Sequence, residues 1–534
     1  MANPNWKLLL PRALLIIAAG FWIYWPALHG GWLMDDVNYI TGNSLLRDTD
    51  GLWKIWFEPG SFIEYYPLKA TVEWIEWHLY GSETFGYHLT NVVLHIVNAL
   101  LVWRLLAKLG LRLAWLGGLI FALHPVMVES VAWISELKNT LSLLPFLLAM
   151  GAWIDFDERR SRRDYALALG LFLIAMLCKI SMAPFPVVIL LHAWWKRGRI
   201  GWSDLKASAP FFVIALTLGV ISLYTASWFQ QHYMVLQEVP MGGFFSRLAC
   251  AGLVLTHYLL NCLWPVDLMP IYPRWKVDPP SFPQFLAWPI LAGLFSWSWI
   301  KRREWGRHVL FGFGFFVLNL MPFLGFKTIS YMGFTWVMDH FLYLPILGLI
   351  GLVVAGLEGI ERRLSPVLRF FGIALVLIVL TLLAVASRSY AKIFLSEETY
   401  STYAVEQNPG AWTAHNDLGV TLSDAGRLSA AIGHFKEALR LKPDYVDARY
   451  NLGNALLSAG RYPEAIAQYE QLLQVQPNYP KAHNNMGVTF AQMGRIPEAI
   501  EQFRAELQLY PNDAQTQDNL AKVESLPKTA PAGH

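Results

Sequence analysis

Residues 444–477 read DYVDARYNLGNALLSAGRYPEAIAQYEQLLQVQP and form one copy of a unit that recurs near the end of the chain. The prolines that close each copy are 34 residues apart, at Pro409, Pro443, Pro477 and Pro511. Small residues keep the same spacing, at Gly419, Gly453, Gly487, Gly426, Gly460, Gly494, Ala431, Ala465 and Ala499. A fixed period of this length predicts a stack of identical helical units.

A 34-residue period with small residues inside two helices and a closing Pro is the signature of tetratricopeptide repeats (TPRs). We predict a TPR α-solenoid over 412–525, with three repeats followed by a capping helix that covers the last apolar face. Glu506 departs from the pattern, which expects a small residue there. We expect a linker at 391–411 and a disordered tail at 526–534.

TPR arrays bind peptides or proteins along a concave groove lined by the first helix of each repeat. Asparagines on those helices are candidates for holding the backbone of an acceptor polypeptide: Asn416, Asn451, Asn484 and Asn485. The alternative is that these asparagines are solvated polar positions without a ligand.

The composition of the rest of the chain indicates a membrane protein. Of 534 residues, 55% are hydrophobic and only 15% are charged, where soluble domains carry about 25%. Residues 401–534 have 11 Lys and Arg against 14 Asp and Glu, a net charge of −3, which leaves a net charge of +6 for the apolar first part. These values argue against a purely soluble enzyme, a disordered chain and a nucleic-acid partner. All three cysteines fall in apolar runs, which predicts neither a disulfide framework nor a Cys-based metal site.

We predict that residues 1–390 form a polytopic helical membrane domain. A membrane-spanning helix needs about 20 predominantly apolar residues. Twelve segments are candidates: 8–28, 88–108, 112–128, 137–154, 165–179, 181–195, 208–228, 245–265, 284–300, 307–325, 341–357 and 367–387. The first has bulky aromatic residues where a signal peptide would have a cleavage site, so it is predicted to be an uncleaved anchor.

The basic loops predict the orientation of these spans. Lys and Arg accumulate in cytoplasmic loops, and they cluster here at 159–163, 196–199, 301–307 and 362–369. All four loops are cytoplasmic only if one segment between 200 and 300 fails to span, and 245–265 is the most polar candidate. About eleven spans result, with loop 29–87 and the TPR domain outside the cytoplasm. We expect a multi-pass protein of a bacterial inner membrane with its TPR domain in the periplasm.

The external loop 29–87 begins with two adjacent acids, Asp35 and Asp36, directly after the first span. Carboxylates at a membrane surface are costly unless they are solvated or functional. A carboxylate here is suited to accept a proton from an acceptor hydroxyl as general base. The alternative is a helix cap in the outer loop.

Further polar residues are predicted at the same external face. They are His124, Glu129, Lys138, Lys179 and His340. Cations beside acids at a membrane surface suit a lipid-linked phosphate donor, because phosphate is recognised electrostatically. Taken singly, each of these residues is equally explained by snorkelling or by a loop position.

Three segments, 65–101, 121–148 and 339–345 (Asp-His-Phe-Leu-Tyr-Leu-Pro), resemble the transmembrane-and-TPR O-mannosyltransferase family when they are joined to TPRs. That family belongs to the C-type (GT-C) glycosyltransferases. The resemblance implies a polyprenyl-phosphate-linked sugar donor and inverting transfer to Ser or Thr of an acceptor protein. It implies that Asp35 and Asp36 match the acidic catalytic motif, and that Glu129, Lys138 and His340 match positions near the donor.

No clear metal-ligand cluster is present, so a divalent metal is not expected as a cofactor. The membrane lipid, the lipid-linked donor and an acceptor protein are the expected partners. Other readings stay open: transfer onto a glycan or lipid in envelope polysaccharide assembly, a non-catalytic scaffold for pilus or secretion assembly, and a transporter.

Overall fold

The computed structural model describes residues 6–33, 35–58, 64–233 and 241–525. Helices and connecting loops make up all of these residues, without a strand among them, which confirms the predicted all-α class. The chain divides into two compact units, Met1–Ser396 and Glu397–His534. The expected tail 526–534 lies outside the described residues.

The first unit contains fifteen described α-helices. They are α1 (Trp6–Tyr24), α2 (Gly51–Phe57), α3 (Pro67–Tyr80), α4 (Thr84–Lys108), α5 (Ala114–Leu123), α6 (Val128–Ala132), α7 (Leu137–Arg159), α8 (Arg162–Cys178), α9 (Phe185–Arg197), α10 (Trp202–Tyr233), α11 (Phe244–Leu263), α12 (Ala287–Ile300), α13 (Gly306–Leu320), α14 (Ile346–Glu361) and α15 (Pro366–Ala391). Every one of the twelve candidate segments overlaps at least one of these helices.

Five described helical stretches are long and apolar enough to cross a membrane, and one bent pair makes a sixth. The count of eleven spans is not confirmed and stays a prediction. The segment 112–128, predicted as one continuous span, is instead bent by 61° between α5 and the helical turn that begins at Pro125. Proline at this point has no N–H to donate, so the helix ends at Leu123.

The helix α15 has the surface of a segment surrounded by lipid. Large apolar side chains are exposed along most of its length, among them Phe370, Leu375 and Leu382. Exposed apolar surface of this extent is unfavourable in water and favourable in a bilayer. The first unit is therefore an integral membrane domain.

Loop 29–87, which is predicted to be external, has a small core of its own. Ile40, Leu46, Ile55 and Tyr87 pack together with Ile134, which directly precedes α7. At the start of the loop, a Cβ on Gly30 would meet Phe394 O at 2.8 Å, so only glycine fits this close approach. These contacts fix the acids of the loop against the junction between α6 and α7.

The second unit is the TPR array. It consists of α16 (Glu397–Gln407), α17 (Trp412–Asp424), α18 (Leu428–Leu441), α19 (Val446–Ser458), α20 (Tyr462–Val475), α21 (Ala482–Gln492), α22 (Ile496–Leu509) and α23 (Ala514–Glu524). The pairs from α17 to α22 are the three predicted repeats, and α23 is the capping helix. The stretch 391–411, expected to be a linker, contains α16, whose Val405 packs against the core of the array.

Glu506 has a structural role that explains its departure from the repeat pattern. Its carboxylate is buried and accepts hydrogen bonds from the backbone N–H groups of Lys481 (2.8 Å) and Asn484 (3.2 Å). These donors stand at the start of α21, where helix N–H groups have no partner within the helix. Glu506, on the second helix of the third repeat (α22), therefore caps the first helix of the same repeat (α21).

We expect Glu506→Ala to lower the free energy of unfolding of residues 397–525 by about 1–3 kcal/mol, because two buried N–H groups lose their acceptor. Urea unfolding followed by circular dichroism measures this loss. Glu501→Ala, an exposed acid on the same helix, is the matched control and should be close to neutral. Equal losses in the two variants would contradict the capping role.

Candidate functional site

Asp36 is buried and joins loop 29–87 to Ser135, just before α7. One oxygen accepts the Leu33 N–H at 3.0 Å, and the other accepts the Ser135 N–H at 2.8 Å together with the Ser135 hydroxyl. Burial raises the pKa of Asp36 to about 7, although these hydrogen bonds from Ser135 and Leu33 lower it. Both oxygens are thus occupied by donors of the protein.

Asp35, by contrast, has an exposed side chain beside the same junction. Partial loss of water raises the pKa of the Asp35 carboxyl above its usual value. The Lys138 ammonium acts against this rise, whereas Glu136 and Glu64 add to it. Asp35 is therefore an accessible carboxylate whose proton affinity is higher than that of an ordinary Asp.

Lys138 lies between two carboxylates. Its Nζ is 3.3 Å from Glu64 Oε2 and 3.4 Å from Glu136 Oε1, and its side chain is largely buried. The Tyr39 ring centroid is 6.0 Å away. The charge of Lys138 is already compensated within the protein, which leaves it less able to attract a phosphate than a cation without such partners.

Glu129 and His340 form a buried pair. His340 Nδ1 is 2.8 Å from Glu129 Oε1, and the His340 backbone N–H donates to Glu129 Oε2 at 3.2 Å. His340 Nε2 lies 4.0 Å from Glu136 Oε1 on the other side of the ring. The ring is therefore fixed in orientation by Glu129, with Nε2 facing the Glu136 side of the cluster.

Lys179 completes the cluster. Its Nζ donates to Asn139 Oδ1, and Asn139 in turn donates to Glu136, so Lys179 joins the Lys138 group through Asn139. Among the described residues no carboxylate forms an ion pair with Lys179, although the residue is buried. A buried ammonium without an anion is a candidate anion site.

A small cavity, here named the Lys179 cavity, opens beside this ammonium. It is lined by Asn139, Leu143, Lys179, Ser181, Met182, Asn319, Phe323, His340, Phe341, Tyr343, Leu344 and Pro345. Asn319 is buried, and its Oδ1 has no hydrogen-bond partner in the described part of the chain. The cavity thus combines a cation with polar groups that have hydrogen-bonding capacity left.

A second, larger cavity, here named the α13/α14 groove, is lined almost only by apolar residues of α4, α13 and α14 with contributions from α7 and α9. Its lining is Val102, Leu105, Leu106, Leu109, Leu111, Met150, Trp195, His308, Phe311, Gly312, Phe315, Leu347, Gly348, Gly351, Leu352 and Ala355. The two polar members satisfy each other, because Trp195 Nε1 donates to His308 Nδ1 at 3.0 Å.

Not every predicted site residue joins the cluster through a hydrogen bond. His124 interacts with the Cys262 carbonyl at 3.0 Å and accepts the Val126 N–H at 3.4 Å, which stabilises the turn after α5. The amide of Asn98 donates to Tyr343 OH at 3.4 Å, and His95 Nδ1 is 2.9 Å from the same oxygen. These two residues of α4 support Tyr343, a wall of the Lys179 cavity.

Several site residues were missed in the sequence. Ser135 lies in the run Ser135-Glu136-Leu137-Lys138-Asn139, and the high density of polar residues in this run indicates a functional site. Asn319 is a single amide in the apolar segment 307–325, and a lone polar residue in a span is a functional candidate by default. Glu64 gave no signal, because one acid in a long external loop is unremarkable by itself.

The asparagines of the TPR array form a ladder across repeat boundaries. Asn451 donates to Asn416 Oδ1 at 3.0 Å, Asn485 to Tyr450 OH at 2.9 Å, and Asn519 to Asn484 Oδ1 at 2.9 Å. Asn416 and Asn484 are buried, whereas Asn451 and Asn485 are half-buried. The ladder gives all four predicted residues a structural partner, and acceptor binding by them stays a prediction.

The fold and the site together define an integral membrane protein, helical throughout its described residues, with a polar cluster beside loop 29–87 and a C-terminal TPR array. The family model described as TPR repeat matches residues 421–460 and 453–494.

Over most of its length the chain is similar to proteins named protein O-mannosyl-transferase. Tmtc3 of Drosophila melanogaster is 24% identical over 82% of this chain and 55% of its own length. TMTC3 of Mus musculus is 23% identical, with 84% and 52% covered, and TMTC4 of Mus musculus is 26% identical, with 76% and 63% covered. The chain thus spans little more than half the length of the curated relatives it matches. The predicted resemblance to the transmembrane-and-TPR O-mannosyltransferase family is confirmed.

Proposed function

We propose that the chain is an inverting glycosyltransferase of the GT-C type that moves a sugar from a polyprenyl-phosphate carrier to Ser or Thr hydroxyls of an acceptor protein. One observation carries the proposal: an exposed acid, Asp35, stands beside a connected polar cluster that ends in Lys179, a buried cation without a carboxylate partner. Such a site offers a base for a hydroxyl and a cation for a phosphate. The names of the relatives, protein O-mannosyl-transferases, support mannose as the sugar and a protein as the acceptor.

In this mechanism the Asp35 carboxylate takes the proton of the acceptor hydroxyl. The hydroxyl oxygen then forms a bond to the anomeric carbon, and the bond from that carbon to the phosphate oxygen breaks. The electron pair leaves with the lipid phosphate, whose charge Lys179 stabilises. Asp36 acts as a positioning residue, because its two oxygens are engaged by Leu33 and Ser135.

His340 and Glu129 are assigned to the donor side of the site. Glu129 orients the His340 ring, which also lines the Lys179 cavity. Lys138 is assigned to the acid side, since Glu64 and Glu136 hold its ammonium close to Asp35. His124 has a structural role in this proposal.

The TPR array is proposed to bind the acceptor protein, with the array in the periplasm of a bacterium. The direct test uses the purified chain, polyprenyl-phosphate mannose in lipid nanodiscs and a Ser/Thr-containing polypeptide, with mass spectrometry of the product. Mannosylation that disappears when the acceptor's Ser and Thr are replaced by Ala is the expected result. Transfer only to glycan or lipid would favour the envelope-polysaccharide reading, and no transfer to any acceptor would favour a scaffold.

The pH dependence of transfer offers an independent test of the base. Since Asp35 acts ionised, the rate rises with pH through its pKa, which the site raises above the usual Asp value. Lys138→Met removes a charge that lowers this pKa, so the ascending limb of kcat/KM should move to higher pH. Glu64→Gln removes a charge that raises it, so the limb should move to lower pH. Shifts in one common direction would argue against Asp35 as the base.

A further inference from the structure

We infer that His415 and His434 form a pH-sensitive contact that stabilises the first TPR repeat near neutral pH and loosens it in acid. The two residues lie on α17 and α18, the two helices of that repeat. The inference does not depend on the proposed function, because it concerns only the packing of the TPR array. It gives a role to two histidines that neither the cluster of the membrane domain nor the asparagine ladder uses.

The two imidazole rings meet through their Nδ1 atoms, which are 3.0 Å apart. His415 Nε2 lies 3.2 Å from the carbonyl oxygen of Pro409. A carbonyl oxygen only accepts, so His415 Nε2 carries a hydrogen and donates it, and Nδ1 of the neutral ring is left as an acceptor. His434 Nδ1 is therefore the donor of the hydrogen bond between the rings.

Protonation of both rings removes this hydrogen bond. His434 takes a proton at Nε2 and still donates through Nδ1, so one positive charge is compatible with the contact. A proton added to His415 goes to Nδ1, because Nε2 already carries a hydrogen. Two N–H groups then face each other at 3.0 Å, with no acceptor between them and a positive charge on each ring.

The surroundings of the pair favour the neutral rings. His415 is buried and His434 is half-buried. Burial lowers the pKa of both histidines, and the neighbouring His415 lowers the pKa of His434 further. Glu437 of α18 favours a positive charge on His415 and Arg440 opposes it. These two residues form an ion pair with each other, so their opposite effects largely offset.

Charged side chains of the adjacent helices have other partners. Glu398 of α16 forms an ion pair with Arg427 at the start of α18. On α19, Asp447 accepts the hydroxyl of Tyr479, and Arg449 donates to glutamines of α20. These charged groups are thus engaged away from the histidine pair.

The lowered pKa values determine the direction of the pH effect. Below the ordinary His pKa of about 6.5, the unfolded repeat binds more protons than the folded repeat. The contribution of the pair to the free energy of unfolding is therefore complete above that pH and is lost as the pH falls.

The same two positions join the helices of the other repeats, but without two titratable rings. In the second repeat Arg449 donates to Gln468 at 3.4 Å, and in the third His483 Nδ1 is 2.7 Å from Gln502 Oε1. An amide has both a donor and an acceptor, so His483 keeps this bond when it is protonated. Only the first repeat has histidine at both positions.

A looser first repeat would affect the asparagine ladder. Asn416 directly follows His415 on α17 and accepts the amide N–H of Asn451 from the second repeat at 3.0 Å. Acid should therefore weaken the first connection between repeats, and with it the grip of the array on a polypeptide along its first helices.

Hydrogen exchange of the full chain in lipid nanodiscs, followed by mass spectrometry, tests the inference. Protection factors, corrected for the intrinsic exchange rate at each pH, report the opening of each repeat separately. Between about pH 7.5 and about pH 5, we expect the protection of 412–441 to fall roughly tenfold or more relative to that of 446–475, because acid charges both rings.

Two reciprocal variants make the test specific. His434→Gln gives the first repeat the pair of residues that the third repeat has. It should keep the protection of 412–441 at neutral pH and remove the fall in acid, because the amide bonds to the neutral and the charged ring alike. Gln502→His places a second histidine beside His483 and should give 482–509 a fall in acid that the unmodified third repeat lacks.

An unchanged acid response of 412–441 in His434→Gln would overturn the inference. Equal falls in all three repeats of the unmodified chain would do the same, since they would indicate a general effect of acid on the array. Should His434→Gln be unfolded at neutral pH, Gln502→His decides: a new acid response of the third repeat supports the inference, and its absence contradicts it.

Discussion

Asp35→Asn should abolish most sugar transfer, with a loss in kcat of roughly 10²- to 10⁴-fold. The amide has nearly the shape of the carboxylate but does not take a proton from the attacking hydroxyl. Because the Asp35 side chain is exposed, the substitution leaves packing intact, and donor binding should persist. Single-turnover transfer from polyprenyl-phosphate mannose, measured with donor binding on the same sample, separates the chemical step from affinity.

Two variants make this result specific. Asp50→Asn removes another acid of loop 29–87, an exposed carboxylate that pairs with half-buried Lys54, and should be nearly neutral. Ser135→Ala removes one donor to Asp36 and should lower kcat and thermal stability together, since it loosens the loop that carries Asp35. Asp35→Asn with full activity, or with a loss of stability equal to that of Ser135→Ala, would exclude the assignment of Asp35 as base.

Lys179→Met should lower kcat/KM for the lipid-linked donor by roughly 10- to 150-fold, the value of a hydrogen bond to a charged group. The loss should appear in donor affinity, because Lys179 is the buried cation of the cavity that lacks an ion-pair partner among the described residues. Equilibrium binding of polyprenyl phosphate to the full chain measures it directly.

The matched control removes the other cation, Lys138, together with Glu64, one of its two carboxylate partners. The double variant Lys138→Met/Glu64→Gln keeps the net charge of the chain, because it removes one positive and one negative charge. This variant should retain donor affinity within a few-fold. If the double variant lost the donor and Lys179→Met kept it, the phosphate would belong to Lys138 and not to the Lys179 cavity.

Local periodicity accounts for the parts of the fold that the sequence predicts well. The Gly, Ala and Pro positions repeat because each TPR meets the same neighbours, so three repeats and a cap follow from spacing alone. Glu506 and α16 are different, because a cap supplied by the other helix of the same repeat and a helix that covers an open end depend on tertiary contacts. The bend at Pro125 was hidden by an apolar run that looks like one uninterrupted span.

The sequence predicted which residue types form the site, but not the hydrogen bonds and ion pairs between them. Acids and cations at the ends of apolar segments indicated one external face, and Asp35, Glu129, Lys138 and His340 do lie in one neighbourhood. The sequence gives no sign that Lys138 is compensated by Glu64, which is 74 residues away along the chain. The sequence also does not indicate that Asp36 is buried and Asp35 exposed, because this difference depends on which of the two acids accepts the hydrogen bonds of Ser135.

The hydrogen bonds between Ser135 and Asp36 fix the distance between loop 29–87 and the start of α7. Asp35 is covalently next to one end of these bonds, and Lys138 and Asn139 follow the other end within one helical turn. The gap between Asp35 and Asn139, one wall of the Lys179 cavity, is consequently set by a few neighbouring residues, whereas the other walls of that cavity come from separate helices. A change in the tilt of α13 would therefore reshape the Lys179 cavity around Asn319 without moving Asp35 relative to the start of α7.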